Sequence, residues 1–199
     1  MPRGIAYVKE VLPNGWLSVV IRGIGEEDIP EGLKVNIYGE RNGREYYRIL
    51  EGVYKGKHAS SPVKRNSSGV LIHSYFTTAN RRIPSGANII FRKKEKRLEI
   101  QGLGTFNAYT SQFNPIPNGV YDLEIPDMIH EGGARYTDSS RYAKTWFRIG
   151  RSGDRYLHCG SISAGCVTVT DTGRWTEIYR YLIYRRKSDT AVGTITVSN

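Results

Sequence analysis

Along the first third of the chain, apolar and polar residues alternate with a period of two. Trp16–Ile21 turns Leu17, Val19 and Ile21 to one face, and Leu33–Tyr38 does the same with Leu33, Val35 and Ile37. This is the pattern of half-buried strands. Asn14-Gly15 and Asn42-Gly43 carry the residues that two-residue hairpin turns demand, and the second predicts a hairpin joining Val35–Tyr38 to Tyr46–Leu50. Together these runs predict a small β-barrel or open sheet over about residues 1–60. Lys57–Gly69, rich in Ser, Lys and Gly, reads as a loop or linker, and Val70–Ala79 as a further strand. The Pro84-Ser85-Gly86 turn within Arg81–Asn88 is taken as a domain boundary. The expected organisation is therefore a β-rich accessory domain over residues 1–86 and a second domain over 87–199.

In the second half the period changes once. Trp175, Ile178, Tyr179, Leu182 and Ile183 recur at helical spacing, with Asp171 or Thr172 available as N-cap and Arg185-Arg186-Lys187 complementing the C-terminal dipole. The stripe is expected to pack on the sheet. Pro126–Lys144 contains Gly132-Gly133 with His130, Glu131, Arg135, Asp138, Ser139 and Ser140, and reads as a polar loop, either a lid or substrate wall or a plain surface excursion.

Composition agrees with a β-rich reading, since 22 glycines and 14 tyrosines favour turns and strands. A hydrophobic content of 39% is enough for a packed core. The net charge of +10 predicts attraction to polyanions. Nucleic acid, anionic lipid and the bacterial wall all qualify, so charge does not choose among them. No run approaches the ~18 apolar residues of a membrane span. The start, Met1–Glu10, lacks the apolar run of a secretory signal. Either a removed leader or a leaderless route of export is expected.

The candidate chemistry lies in Arg155-Tyr-Leu-His158-Cys159-Gly160-Ser161-Ile-Ser163-Ala-Gly165-Cys166-Val-Thr168-Val169. The strand-like flanks and the glycine- and serine-containing centre predict an antiparallel hairpin with His158 opposite Cys166, roughly 4.5–5.5 Å apart. An imidazole placed so can take a proton from the thiol and lower its pKa. Gly165, lacking a Cβ, permits an unusual dihedral or a close substrate approach, and the N–H groups of Gly165 and Cys166 are candidate oxyanion donors. Against this stands the plainer reading of the cysteine as a small buried hydrophobe and the histidine as a satisfied structural group. Cys159 and Cys166 are too few for a disulfide-stapled fold and have no zinc-site spacing, and His58 and His73 stand alone. No metal is expected. Cys159 is assigned to packing, and His130 is the rival base.

The string His158-x-Gly160, then Ser163-x-Gly165-Cys166 and a hydrophobic residue, resembles the active-site motif of L,D-transpeptidases, cysteine enzymes that remodel bacterial peptidoglycan. Leu98-Glu99-Ile100 resembles that domain's opening strand, Ile116-Pro117-Asn118-Gly119-Val120-Tyr121 its Pro-x-Gly-x-Tyr turn and strand, and Val192–Val197 its closing strand. The resemblance covers roughly residues 87–199. It implies a mainly β fold in which an L,D-transpeptidase-like β-sandwich with one or two helices follows the N-terminal domain.

It further implies Cys166 as nucleophile, His158 as base, and the Gly160 carbonyl or Ser161 as the group orienting the imidazole, with Ser163 shaping the loop. Thr168 stands where the family commonly has Arg or Asn, which leaves Arg135, Arg148, Arg155 and Arg174 as carboxylate partners. The short His-to-Cys spacing resembles a compact subgroup that includes antibacterial effectors. By the same resemblance, no metal or organic cofactor is needed, and the partners are peptidoglycan stem peptides with an immunity or secretion protein. Nucleic acid is disfavoured. The place of action is the periplasm, the cell envelope, or the envelope of a target cell. The alternative from another class is a noncatalytic wall-binding or phage/secretion structural module, and residues 1–86 would serve wall binding, cleft covering or delivery.

Overall fold

The computed structural model describes residues 4–199; Met1, Pro2 and Arg3 of the chain start lie outside the described residues. The architecture is mainly β, and the chain divides into two compact units, Met1–Arg81 and Arg82–Asn199. This division precedes the expected 86/87 boundary because the residues before the Pro-Ser-Gly turn already pack into the second unit. Ile83 bridges to Arg185, and a Cβ on Gly86 would lie 2.8 Å from the Lys187 Cβ.

The first unit contains β1 (Gly4–Val8), β2 (Trp16–Ile21), β3 (Gly25–Pro30), β4 (Lys34–Arg41), β5 (Arg44–Ile49), β6 (His58–Pro62), β7 (Lys64–Arg65), β8 (Leu71–His73) and β9 (Phe76–Thr77). Seven of these form one sheet in the order β3-β2-β6-β5-β4-β1-β9, and β7 pairs with β8. The alternation read from sequence places Leu17, Val19, Ile21, Leu33, Val35 and Ile37 in the core. Asn42 and Gly43 take φ of 51° and 70°, the left-handed values of a tight hairpin turn, and join β4 to β5.

Three expectations fail here. Asn14-Gly15 joins no paired strands: the Asn14 side-chain oxygen accepts the Trp16 N–H at 3.2 Å, while β2 pairs with β3 and β6. Lys57–Gly69 is not a linker, because β6 is an interior strand between β2 and β5. Its Ala59, Ser60 and Ser61 are buried, and such small, polar residues leave no periodic signal. Val70–Ala79 is broken into β8 and β9.

The second unit contains β10 (Ala87–Arg92), β11 (Arg97–Ile100), β12 (Gly104–Tyr109), β13 (Gly119–Glu124), β14 (Phe147–Arg148), β15 (Tyr156–Cys159), β16 (Val167–Val169), α1 (Trp175–Ile183) and β17 (Ala191–Ser198). Its eight-stranded sheet runs β13-β17-β10-β11-β12-β16-β15-β14. A bridge between Leu123 and Ile149 brings the two edges together, so the sheet curls on itself. Ile89, Phe91, Leu98, Phe106, Leu157 and Val167 are wholly buried.

The helical stripe is buried as its spacing predicts, from Trp175 to Ile183. The Trp175 indole N–H donates to the Tyr142 carbonyl at 3.0 Å, and Tyr142 stacks on Tyr179 at 3.9 Å. Neither Asp171 nor Thr172 caps α1, whose N-cap position is Arg174 without a side-chain bond. The Asp171 carboxylate instead accepts the backbone and side-chain N–H groups of Asn107 at 2.8 and 2.9 Å. That pair ties the segment after β16 to β12.

Candidate active site

The strands that carry the His–Cys segment pair in parallel, with Leu157 beside Val167, His158 beside Thr168 and Cys159 beside Val169. The expected hairpin is therefore wrong. Parallel neighbours ordinarily require a crossover of a dozen or more residues, which is why the short spacing suggested a hairpin. Here seven residues, Gly160 to Cys166, run back along β15 before β16 begins.

Several local features allow this return. Gly160 and Gly165 take φ of 151° and 126°, conformations that side chains resist. The Tyr136 ring lies where a Cβ on Gly160 would stand, at 3.0 Å. Its hydroxyl meets the Ser161 hydroxyl at 2.7 Å and accepts the Ser161 N–H at 2.9 Å. The Ser163 hydroxyl donates to the Cys166 carbonyl at 2.9 Å and accepts the Gly165 N–H at 3.3 Å.

The imidazole of His158 is buried, and its tautomer follows from its neighbours. Nδ1 lies 2.9 Å from the Cys159 carbonyl, which can only accept, so Nδ1 carries the hydrogen. In the neutral ring Nε2 is then an acceptor, and the Thr168 hydroxyl, 3.1 Å away, donates to it. The group bonded to Nδ1 is thus the Cys159 carbonyl rather than that of Gly160 or the side chain of Ser161, whose hydroxyl meets Tyr136 instead. Burial lowers the His158 pKa to about 4, with the Cys159 bond opposing and His130 adding to the drop.

Cys166 sits just before β16, two residues before Thr168, whose hydroxyl touches His158. Its Sγ accepts the Tyr156 N–H at 3.4 Å and points its own proton toward the Asp154 carbonyl at 3.8 Å. Burial pushes the thiol pKa up, while the Tyr156 N–H and the Arg155 charge pull the other way. Among the described residues no hydrogen bond joins Cys166 to His158. The thiol and the imidazole are each neutral at rest, and burial raises the thiol pKa where the sequence predicts that the imidazole would lower it. Cys159 is a free, wholly buried packing residue.

Further groups pack near the imidazole. Trp146 stacks on His158 at 4.3 Å and on His130 at 4.4 Å. The rival base His130 is bonded through Nε2 to Asp127 at 3.3 Å, and the other Asp127 oxygen accepts the Tyr156 hydroxyl at 3.2 Å. Burial alone would raise the Asp127 pKa, but His130 and Arg148 outweigh it and hold the carboxyl below its usual value. Asp127, Trp146 and Tyr156 were not singled out from sequence. The Asp127-x-x-His130 spacing was the one available hint.

The arginine candidates separate clearly. Arg155 is a strut: one nitrogen donates to the carbonyls of Gly165 and Asn114 at 2.6 and 3.2 Å, and the other to the Asn114 side chain at 2.9 Å. Arg174 pairs with Glu177 at 2.9 Å, donates to the Thr105 carbonyl and lies over Phe106, so it ties the start of α1 to β12. Arg148 approaches Asp127 at 3.9 Å and lies over the Tyr156 ring, next to the site. Arg135 is exposed on the 3-10 helix Glu131–Tyr136. That helix gives the Pro126–Lys144 segment a folded form, and through Tyr136 the segment walls the Ser161 loop. Among the described residues no three potential ligands cluster to hold a metal, and no helix is long and apolar enough to cross a membrane.

No family model and no curated protein matches the chain. Three solved structures similar to it are L,D-transpeptidases. That from Xylanimonas cellulosilytica is 13% identical with a TM-score of 0.37, over 61% of this chain and 65% of that one, so just under two thirds of the latter is spanned. L,D-transpeptidase 1 of Mycobacterium tuberculosis is 13% identical with a TM-score of 0.39, over 98% of this chain and 86% of that one. A further L,D-transpeptidase of M. tuberculosis H37Rv is 11% identical with a TM-score of 0.38, over 95% and 96%. Likeness at this level decides nothing about the reaction, which has to be read from the groups on the site face.

Proposed function

We propose that the chain is a cysteine-dependent L,D-transpeptidase or L,D-carboxypeptidase acting on peptidoglycan tetrapeptide stems. The observation that supports this reading is an imidazole, His158, whose Nδ1–H is held by the Cys159 carbonyl with Nε2 left as the acceptor, on the strand whose Tyr156 N–H is bonded to the Cys166 thiol. A base needs that tautomer to receive a proton.

The Thr168 hydroxyl has a second acceptor, the Ile162 carbonyl at 3.4 Å. When it turns there, the Nε2 lone pair opens to the thiol. Sγ attacks the carbonyl joining the diamino acid to the terminal D-alanine as its proton passes to Nε2. The new imidazolium gives that proton to the departing D-alanine nitrogen, the C–N bond breaks, and a thioester remains on Cys166. An amine acceptor then yields a cross-link or an exchanged stem, and water yields the tripeptide. Because Ser163 occupies the Gly165 N–H, the Cys166 N–H is assigned to the developing oxyanion. The low His158 pKa suits a base that is unprotonated at neutral pH. In the same reading the chain works in a cell envelope, its own or that of a target cell.

The decisive experiment is mass spectrometry of tetrapeptide muropeptides incubated with the wild type and with Cys166→Ala. Loss of one alanine, with or without dimers and only in the wild type, is expected. Unchanged substrate together with an unreactive Cys166 would favour the second reading, a noncatalytic wall-binding module. What speaks for that module is the resting engagement of Nε2 by Thr168 and of the thiol by Asp154.

A further inference from the structure

A second feature of the same unit is a cleft of about 580 Å³ that begins at Ser163 and ends at the β10–β11 turn, where Lys93, Lys94 and Lys96 line it. Tyr109 and Phe113 form its apolar part. The cleft joins the site face through two contacts. Tyr109 pairs with Thr168 across β12 and β16, and the Ser163 hydroxyl donates to the Cys166 carbonyl.

The charged side chains that line this cleft, Lys93, Lys94 and Lys96, are of one sign, and Asn199 also lines it. The acidic residues nearest the lysines, Glu95 and Glu99, both pair with Arg92, at 3.9 and 3.0 Å. Lys93 is anchored to the Ile116 carbonyl at 3.2 Å, and Lys94 and Lys96 are exposed, with no carboxylate bonded to them among the described residues. The turn that presents them is closed by bonds from the Lys96 N–H to Lys93 and from the Ala108 N–H to Lys96. Phe113, 90% exposed, leaves a large ring uncovered at the rim. Ring and ammonium groups together suit a ligand that carries several carboxylates on a backbone with short apolar side chains.

We propose that this lysine cleft is the subsite that holds the carboxylates of an acidic peptide substrate, along the stretch leading to the Cys166 thiol. The identity of the peptide rests on the function proposed above. Continuity with a thiol–imidazole pair suited to amide chemistry favours a peptide over a nucleic acid as the anion.

The test is a calorimetric titration at low salt of the full chain carrying Cys166→Ala, so that no turnover intervenes. The probes are a tetrapeptide stem with free carboxylates and the same stem with its carboxylates amidated. Adding Lys94→Gln and Lys96→Gln is expected to weaken binding of the free-acid stem by about five- to tenfold, since each exposed ion pair contributes modestly. Binding of the amidated stem should not change, and Lys94→Arg with Lys96→Arg should restore the free-acid affinity. Equal affinity of the lysine and glutamine forms for the free-acid stem would overturn the proposal. So would an oligonucleotide of equal charge that binds more tightly and displaces the stem. The readout needs no chemistry, so an inactive wild type that still binds through the lysines would sink the transpeptidase reading and leave the subsite standing.

Discussion

Acidification tests the neutral state of His158, on which the proposed chemistry depends. In the unfolded chain the imidazole has its ordinary pKa of 6.5, and in the folded protein burial lowers it to about 4. Between these values the unfolded chain binds a proton that the folded protein refuses, so stability is full above pH 6.5 and is lost as pH falls toward 4. The slope approaches about 1.4 kcal/mol per pH unit, and the whole loss is about 3 kcal/mol. Asp122, Asp127 and Asp171, whose pKa values are lowered, lose their contribution only below their usual range. Glu124 is raised by burial and shifts stability in the opposite sense, so a variant is needed to isolate the histidine. The assay is guanidinium unfolding of the wild type and His158→Gln at half-unit steps from pH 4 to pH 7.5. The wild type should lose about 2–3 kcal/mol more than the variant across that span. Parallel pH dependences between pH 4.5 and 6.5 would refute the buried neutral imidazole, and with it the assignment of Nε2 as a ready acceptor.

Three further outcomes are expected. Alkylation of Cys166 by iodoacetamide should rise about tenfold per pH unit from pH 6 to pH 9, because burial holds the thiol above its ordinary pKa; a plateau below pH 7 would mean a standing thiolate–imidazolium pair. Gly165→Ala puts a Cβ 2.4 Å from the Arg155 guanidinium and 2.7 Å from the Asn114 carbonyl at a φ of +126°, so it should cost roughly 1–3 kcal/mol and abolish turnover; an unchanged melting temperature would contradict the strut. Trp175→Ala should destabilise by roughly 3–5 kcal/mol, and Trp175→Phe, which removes the indole donor to a Tyr142 carbonyl that still accepts the Thr145 N–H, by only about 0.5–1.5 kcal/mol from the lost bond; thermal melts giving equal losses would remove the indole bond from the account.

The readings that held are those carried by local pattern. Val35, Ile37 and the Asn42-Gly43 turn follow from a period of two and from a backbone conformation that few residues accept. The stripe from Trp175 to Ile183 follows from the 3.6-residue period. The His158-to-Cys166 segment stood out because a thiol and an imidazole lie within one short stretch, and its role remains a proposal. What failed was read from composition alone: Ser and Lys suggested a linker where β6 is an interior strand, and two glycines suggested a hairpin where the chain makes a parallel return.

The sequence by itself determined the β-rich architecture and the helix with its buried face, and it placed a histidine and a cysteine in one short segment, because each depends on neighbours a few positions away. The tertiary structure alone decided what surrounds those two side chains. The parallel pairing puts Thr168, not Cys166, at Nε2. The Cys159 carbonyl sets the tautomer. Trp146 stacks on the imidazole and His130, held by Asp127, stacks on Trp146. Burial by these distant groups sets the two pKa directions. Dielectric surroundings and hydrogen-bond partners are properties of packed space, and no spacing along the chain encodes them.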